Sequence, residues 1–270
     1  MTLTTLRLSS AGQTVAYRDV GQGAPLLLIH GVGMQSAAWG PQLTALGETH
    51  RVIAVDMPGH GGSARLPTDG RLPDYVAWLH DFTKTLGIGP FSIAGHSMGA
   101  LIAGGYAIEH PDQTERVALL SGVYRRNAQA RAAVIARAAE ISAGKIDLQT
   151  PIDRWFEDGP RHAIAKQQVA QWLSKVEPSG YATAYSAFAK GDTVYADRFA
   201  EISCPFLAIT GDGDLNSTPD MSQKMASVVQ NGHAVTINGH RHMVNLTAPS
   251  IVTAHLAAWL NDTAAQKVAP

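Results

Sequence analysis

Ser97 sits at the centre of Gly95-His96-Ser97-Met98-Gly99, with a strand-like run before it (residues 90–94) and a helix-like run after it (residues 100–108). A sharp strand-to-helix turn pushes its middle side chain clear of the sheet and crowds the neighbours, and glycines on both sides relieve that crowding. The turn also sets the hydroxyl beside a helix N-terminus, where free N–H groups and the helix dipole favour developing negative charge. The chemistry this spacing fits is nucleophilic attack by Ser97.

A serine hydroxyl is a poor nucleophile at neutral pH. It needs a base within hydrogen-bond reach, and the base needs an orienting acid. In open parallel sheets functional groups gather at the carboxyl ends of strands, so the partners are sought just after each later strand-like run. Residues 121–126, Ser-Gly-Val-Tyr-Arg-Arg, offer no carboxylate. Residues 211–219 offer two, Asp212 and Asp214. Asp214 lies further into the turn, from where a side chain can swing over the sheet, and is favoured, with Asp212 as the alternative. Residues 238–243 offer His240 and His242. His242 follows a short glycine-containing loop and precedes a helical segment, and is favoured over His240. The order Ser, Asp, His is a known solution of the triad geometry.

An oxyanion needs two donors. Met98 supplies the N–H beside the nucleophile, and the second is expected from His30-Gly31-Val32-Gly33-Met34, with Val32 chosen and Gly33 second. Three other histidines read as structural: His30 bracing this loop, His60 in a glycine-rich turn, and His96 packing within the pentapeptide.

The elements that must position these groups alternate. Continuous apolar runs at 25–29, 51–55, 91–94, 117–120, 206–209 and 234–237 read as strands buried on both faces. Helical patterns separate them at 37–46, 72–86, 98–110, 221–229 and 249–260, and a hairpin (3–8 with 14–18) precedes them. Such alternation calls for a mostly parallel sheet with helices on both faces. From about residue 124 to 201 the alternation stops, and Ala, Arg, Gln and aromatics suggest several helices. The expected organisation is a core of residues 1–123 and 202–270 with a helical insertion at 124–201. Residues 263–270 are expected to fray.

Composition narrows the function classes. A net charge of −1 provides no overall field to recruit nucleic acid or an anionic membrane. The single cysteine, Cys204, excludes an intrachain disulfide and reads as a small buried hydrophobe. No secretory leader and no run of membrane-spanning length is visible, so a cytoplasmic compartment is expected. No His/Cys cluster at ligand spacing and no phosphate loop is seen, so neither metal nor organic cofactor is expected. The expected partner is a small-molecule substrate, on a monomer or homodimer.

Taken together, His30-Gly31 with Trp39, Asp56 to Gly61, the Ser97 pentapeptide, Gly211 to Asp214 with Pro219, and Gly239 to His242 resemble the α/β-hydrolase superfamily over nearly the whole chain. The resemblance implies an eight-stranded, mostly parallel sheet, a helical cap after the sixth strand, and a triad of Ser97, Asp214 and His242. Serine at the elbow points away from branches that carry Asp there. The chain departs from the pattern at His240-Arg241, where many relatives carry small residues, and it lacks the Gly-Pro-Gly-Ala loop of C–C hydrolases.

The expected reaction is acyl transfer from a small carboxylic ester, lactone, thioester or amide, through an acyl-enzyme. The alternatives are hydrolysis of a C–C bond in a vinylogous diketone and a non-catalytic ligand sensor. Arg125 and Arg126 leave the sixth strand near the elbow, and either could clamp a substrate carboxylate. With the two arginines, Tyr124, Trp155, Trp172, Tyr181, Tyr185 and Phe188 are candidates for the pocket roof, and Met34, Met98 and Met243 suggest an adaptable apolar lining.

Overall fold

A computed structural model describes residues 1–10 and 12–262; the expected frayed tail at 263–270 lies outside the described residues. The strands are β1 (Thr4–Arg7), β2 (Thr14–Val20), β3 (Pro25–Ile29), β4 (Arg51–Val55), β5 (Phe91–His96), β6 (Thr114–Leu120), β7 (Phe206–Gly211) and β8 (Gly232–Ile237). They form one eight-stranded sheet in the order β1-β2-β4-β3-β5-β6-β7-β8. β2 runs antiparallel to both β1 and β4, and every pairing from β4 to β8 is parallel.

The continuous apolar runs of β3 to β7 are explained by burial on both faces. The run at 234–237 departs from that expectation, because β8 is the edge strand and its Ala234 and Thr236 are exposed. Alternate residues of one strand enter different cores, as a side-chain period of two requires. Leu27 and Ile29 of β3 and Ile53 and Val55 of β4 join one core with residues of α2 (Leu72–Leu86), α3 (Met98–Glu109) and α8 (Pro219–Val228). Leu26, Leu28, Val52 and Ala54 join the other, with residues of α1 (Gly40–Leu46) and α10 (Pro249–Asn261). A further short helix, α9 (Val244–Thr247), follows the β8 loop. No described helix is long and apolar enough to cross a membrane.

Between β6 and β7 run α4 (Ala128–Ser142), α5 (Gln149–Trp155), α6 (Ala163–Leu173) and α7 (Pro178–Gly191). This run of helices meets the loop after β4 at a point where no side chain intervenes. A Cβ on Gly59, in the loop after β4, would lie 2.5 Å from Gly180 Cα at the start of α7. Asp192, just past α7, is buried and accepts hydrogen bonds from the Arg126 N–H at 2.7 Å and from Arg131 at 3.0 Å, tying the two ends of the insertion together.

Candidate active site

Ser97 links β5 to α3 with φ 55° and ψ −112°, a left-handed backbone that an L-residue adopts only under constraint. The constraint is visible around it. A Cβ on Gly95 would lie 2.0 Å from the Gly99 carbonyl oxygen, and one on Gly99 would lie 2.2 Å from that of Ile29. Both glycines of the pentapeptide are thus required by backbone approach. The Ser97 N–H donates to the Leu120 carbonyl at 2.9 Å, fixing the elbow to the end of β6.

The loop after β8 brings His242 to the same end of the sheet. Its Nδ1 lies 2.8 Å from Asp214 Oδ2, in the loop after β7. The other carboxylate oxygen accepts the N–H groups of Asn216 at 2.8 Å and Ser217 at 3.0 Å. Burial acts to raise the Asp214 carboxyl, but the facing imidazole and these two donors prevail and its pKa is lowered. An ionised Asp214 assigns the proton to His242 Nδ1 and leaves Nε2 as the basic nitrogen. Asp212 instead shapes the loop that carries His242, because its Oδ1 accepts the N–H groups of Gly239 at 2.8 Å and His240 at 3.3 Å. His240 turns to Thr247 Oγ1 at 2.9 Å. Ser97 and His242 line one cavity. No hydrogen bond joins these two side chains in this conformation, and catalytic hydrogen bonds of this kind often tighten only around bound substrate.

The two donors of the candidate oxyanion hole are separated from their neighbours by bonding. Gly33 N–H is committed to His60 Nε2 at 2.9 Å, whereas the N–H groups of Val32 and Met98 donate no hydrogen bond among the described residues. The loop is braced by neutral histidines. His30 Nδ1 donates to the Gly31 carbonyl at 2.8 Å while Nε2 accepts the Met57 N–H at 2.9 Å, and burial holds its pKa well below the ordinary value. His60 Nδ1 donates to Pro58 O at 3.0 Å, and burial pushes it down to about 4. Both rings therefore use one nitrogen as donor and one as acceptor, which a protonated ring could not do.

The cavity over Ser97 has a volume of about 180 Å³, below the ~300–1,000 Å³ of sites for drug-sized ligands, so it suits a small molecule. Its wall is mostly apolar, from α4, α5 and α7, but three arginines enter it: Arg126, Arg137 and Arg154. Arg126 is buried, stacks 4.4 Å over the Phe188 ring and pairs with Asp192 at 3.2 Å, yet its buried Nη2 has no hydrogen-bond partner among the described residues. Burial lowers the Arg126 pKa, with Asp192 opposing, while its guanidinium remains a cation at neutral pH. Trp155 of α5 lies 5.8 Å from the His242 ring, tilted 26°.

Of the residues expected to meet substrate, Arg126, Trp155, Tyr181, Tyr185 and Phe188 line the cavity, and Arg125 and Trp172 do not. Arg125 is exposed, adopts φ 46° and pairs with Asp197. Met34, Tyr124 and Met243 are buried but are not part of the cavity wall, and the Tyr124 hydroxyl donates to Ala196 O at 3.3 Å. Sequence reasoning does not single out Arg137 or Arg154. The signal for Arg137 is the set Ala130, Ala133, Val134 and Arg137, one face of a helix by spacing, but an alanine-rich helix does not reveal from sequence which face meets a cavity. Arg154 has only its neighbour Trp155 to mark it.

A model of the alpha/beta hydrolase family matches residues 26–255. The chain is 48% identical over 259 residues, covering 96% of it and 98% of the relative, to an (E)-2-((N-methylformamido)methylene)succinate hydrolase of Acinetobacter baylyi. In three dimensions it resembles an enol-lactonase of Burkholderia xenovorans LB400, with TM-score 0.88, 23% identity and coverage of 96% and 100% of the two chains. It also resembles a thermophilic esterase of Thermogutta terrifontis solved with malate bound, with TM-score 0.87, 24% identity and coverage of 96% and 98%. These two structural likenesses concern the fold.

Proposed function

Since the chain belongs to the alpha/beta hydrolase family, we propose that it hydrolyses an acyl bond in a small molecule bearing carboxylate groups, with Ser97 as nucleophile, His242 as base and Asp214 as orienting acid. The observation that carries the substrate class is the trio of arginines in a cavity of about 180 Å³ above Ser97 and His242. A buried guanidinium nitrogen without a partner among the described residues, Arg126 Nη2, is costly unless a ligand supplies the acceptor, and a carboxylate matches a guanidinium in charge and shape. The Acinetobacter relative supports the same reading, because the compound in its name is a succinate, a dicarboxylate, carrying an N-formyl amide.

The reaction follows from the residues. His242 Nε2 takes the proton as Ser97 Oγ attacks the acyl carbon, and Asp214 holds the imidazole tautomer and supports the imidazolium. The N–H groups of Val32 and Met98 stabilise the oxyanion, and losing one such donor costs about 3 kcal/mol of barrier. Collapse of the tetrahedral intermediate transfers the proton from His242 to the leaving amine or alcohol and leaves an acyl-Ser97 ester. Water activated by the same imidazole then releases the acid. Helices α4, α5 and α7 supply the apolar wall, and Arg126 before α4, Arg137 on α4 and Arg154 on α5 supply the cations that hold the substrate's carboxylates.

The test is a substrate panel with two arms. A fluorophosphonate probe is expected to label the wild-type chain and leave Ser97→Ala unlabelled. The chain is expected to turn over (E)-2-((N-methylformamido)methylene)succinate, read as formate release, with higher kcat/KM than 4-nitrophenyl acetate. Labelling of Ser97→Ala overturns the nucleophile; preference for the neutral ester overturns the substrate class.

A further inference from the structure

The residue just before His242 reaches away from the candidate base and into the cap. Arg241 Nη1 donates to the carbonyls of Asp153 at 3.0 Å and Phe156 at 2.8 Å. Both belong to the C-terminal end of α5, where carbonyls lack intrahelical partners and the helix dipole favours a cation. The turn between Asp153 and Phe156 consists of Arg154 and Trp155. Arg154 enters the cavity, and Trp155 lies over the His242 ring. One guanidinium thus spans the two ends of the turn that faces the candidate base.

Neighbouring contacts tie the same two segments. Arg161 Nη1 donates to the Gly239 carbonyl at 3.5 Å, and the His162 and His240 rings lie 5.4 Å apart. The loop bearing His242 is therefore joined to the chain on both sides of α5's end. A small residue at position 241 would leave the Asp153 and Phe156 carbonyls without this donor.

We propose that Arg241 is a positioning residue: by closing the C-terminal end of α5 it holds Arg154 and Trp155 at the His242 side of the cavity and so sets the affinity for acidic substrates. The proposal rests on the function argued above, in which Arg154 faces a substrate carboxylate. Arg241 touches no reacting atom in this scheme; it acts through α5.

The experiment compares Arg241→Ala, Arg241→Lys, Arg154→Ala and the Arg241→Ala/Arg154→Ala double variant in the full chain, on the dicarboxylate probe and on 4-nitrophenyl acetate. Arg241→Ala is expected to raise KM for the dicarboxylate roughly tenfold, the worth of a charge-assisted hydrogen bond, and more than for the neutral ester. Arg241→Lys, whose ammonium can still reach a carbonyl, is expected to recover part of that loss. In the Arg154→Ala background the change at Arg241 is expected to add little. Full additivity in the double variant, or a parallel loss on both substrates, overturns the proposal. Deuterium uptake separates this from failure of the functional reading. Arg241→Ala is expected to speed exchange in residues 149–156 relative to α7 whether or not the dicarboxylate is a substrate, and unchanged uptake there overturns the role of Arg241.

Discussion

His96 Nε2 donates to the main-chain carbonyl of His242 at 2.9 Å, so the nucleophile's own neighbour anchors the loop that carries the candidate base. The ring is buried, and burial with the facing His242 pushes it down to about 3, which keeps it neutral and able to hold this single donor geometry at neutral pH. Ser121 Oγ donates to the same carbonyl at 2.9 Å. Elbow and base are therefore registered through the backbone of residue 242, without a hydrogen bond between the Ser97 and His242 side chains.

This double donation makes a non-additive prediction. His96→Ala and Ser121→Ala are each expected to cost about 1 kcal/mol of stability, because one donor still satisfies the carbonyl. The double variant leaves a buried acceptor bare and is expected to lose more than the sum of the two. Denaturant unfolding of the four chains reads the coupling; strict additivity would show that the two donors act independently of each other.

Acid is expected to unfold the chain well above the usual carboxylate range. His30, His60 and His96 are buried and neutral, with pKa values depressed chiefly by burial, to about 4 for His60 and about 3 for His96. The unfolded chain binds those protons near pH 6.5, so between about 6.5 and 4 it holds up to three protons more than the native state. Stability therefore falls as pH falls, at a limiting slope of about 4 kcal/mol per pH unit if all three contribute. Above pH 7 these three groups give no slope. Urea titrations from pH 8 to 4.5 check this, and His60→Gln, which keeps an acceptor for the Gly33 N–H, is expected to shallow the slope. A flat profile between pH 7 and 5 would contradict it.

Strands β3 and β4 are legible to the residue because both faces are buried and hydropathy alone marks them. β5 and β6 are visible in sequence but not their bounds. Gly95 and His96 extend one strand and Thr114 to Arg116 the other, and their pairing is a backbone property that apolar runs do not record. The candidate Ser97, Asp214 and His242 can be read because each follows a strand end on a short loop. The choice of Val32 over Gly33 turns on a bond to His60, in another loop 27 residues away, which spacing cannot show. Arg125 and Arg126 are equivalent in sequence and opposite in structure. The left-handed backbone at Arg125 turns its side chain outward to Asp197, and Arg126 goes inward to Asp192.

The approach of Gly59 to Gly180 predicts how the cap is seated. A Cβ at Gly180 would lie 2.6 Å from Gly59 Cα, a backbone atom that cannot rotate away. Gly180→Ala is expected to lower stability by about 1–3 kcal/mol and to tilt α7, which carries Tyr181, Tyr185 and Phe188 of the cavity wall. Thermal melting reads the first effect, and a raised KM for small substrates reads the second. An unchanged melting temperature would mean that core and cap part at this contact without cost.

The cavity arginines differ in what their removal should do. Arg126 is buried against Asp192, so truncating it disturbs a buried carboxylate as well as any bound anion, and loss of activity there is ambiguous. Arg154 is solvent-exposed on α5 yet reaches the cavity, which makes it the cleaner probe. Arg154→Ala is expected to change stability by less than about 0.5 kcal/mol, the usual range for a surface substitution. Its KM for a dicarboxylate should nevertheless rise by roughly tenfold, as loss of one charge-assisted contact implies. The same KM should rise with ionic strength in the wild type and less steeply in the variant, because salt screens partly exposed charges. A dicarboxylate KM indifferent to both salt and Arg154 would mean that the acidic groups of the substrate are held elsewhere.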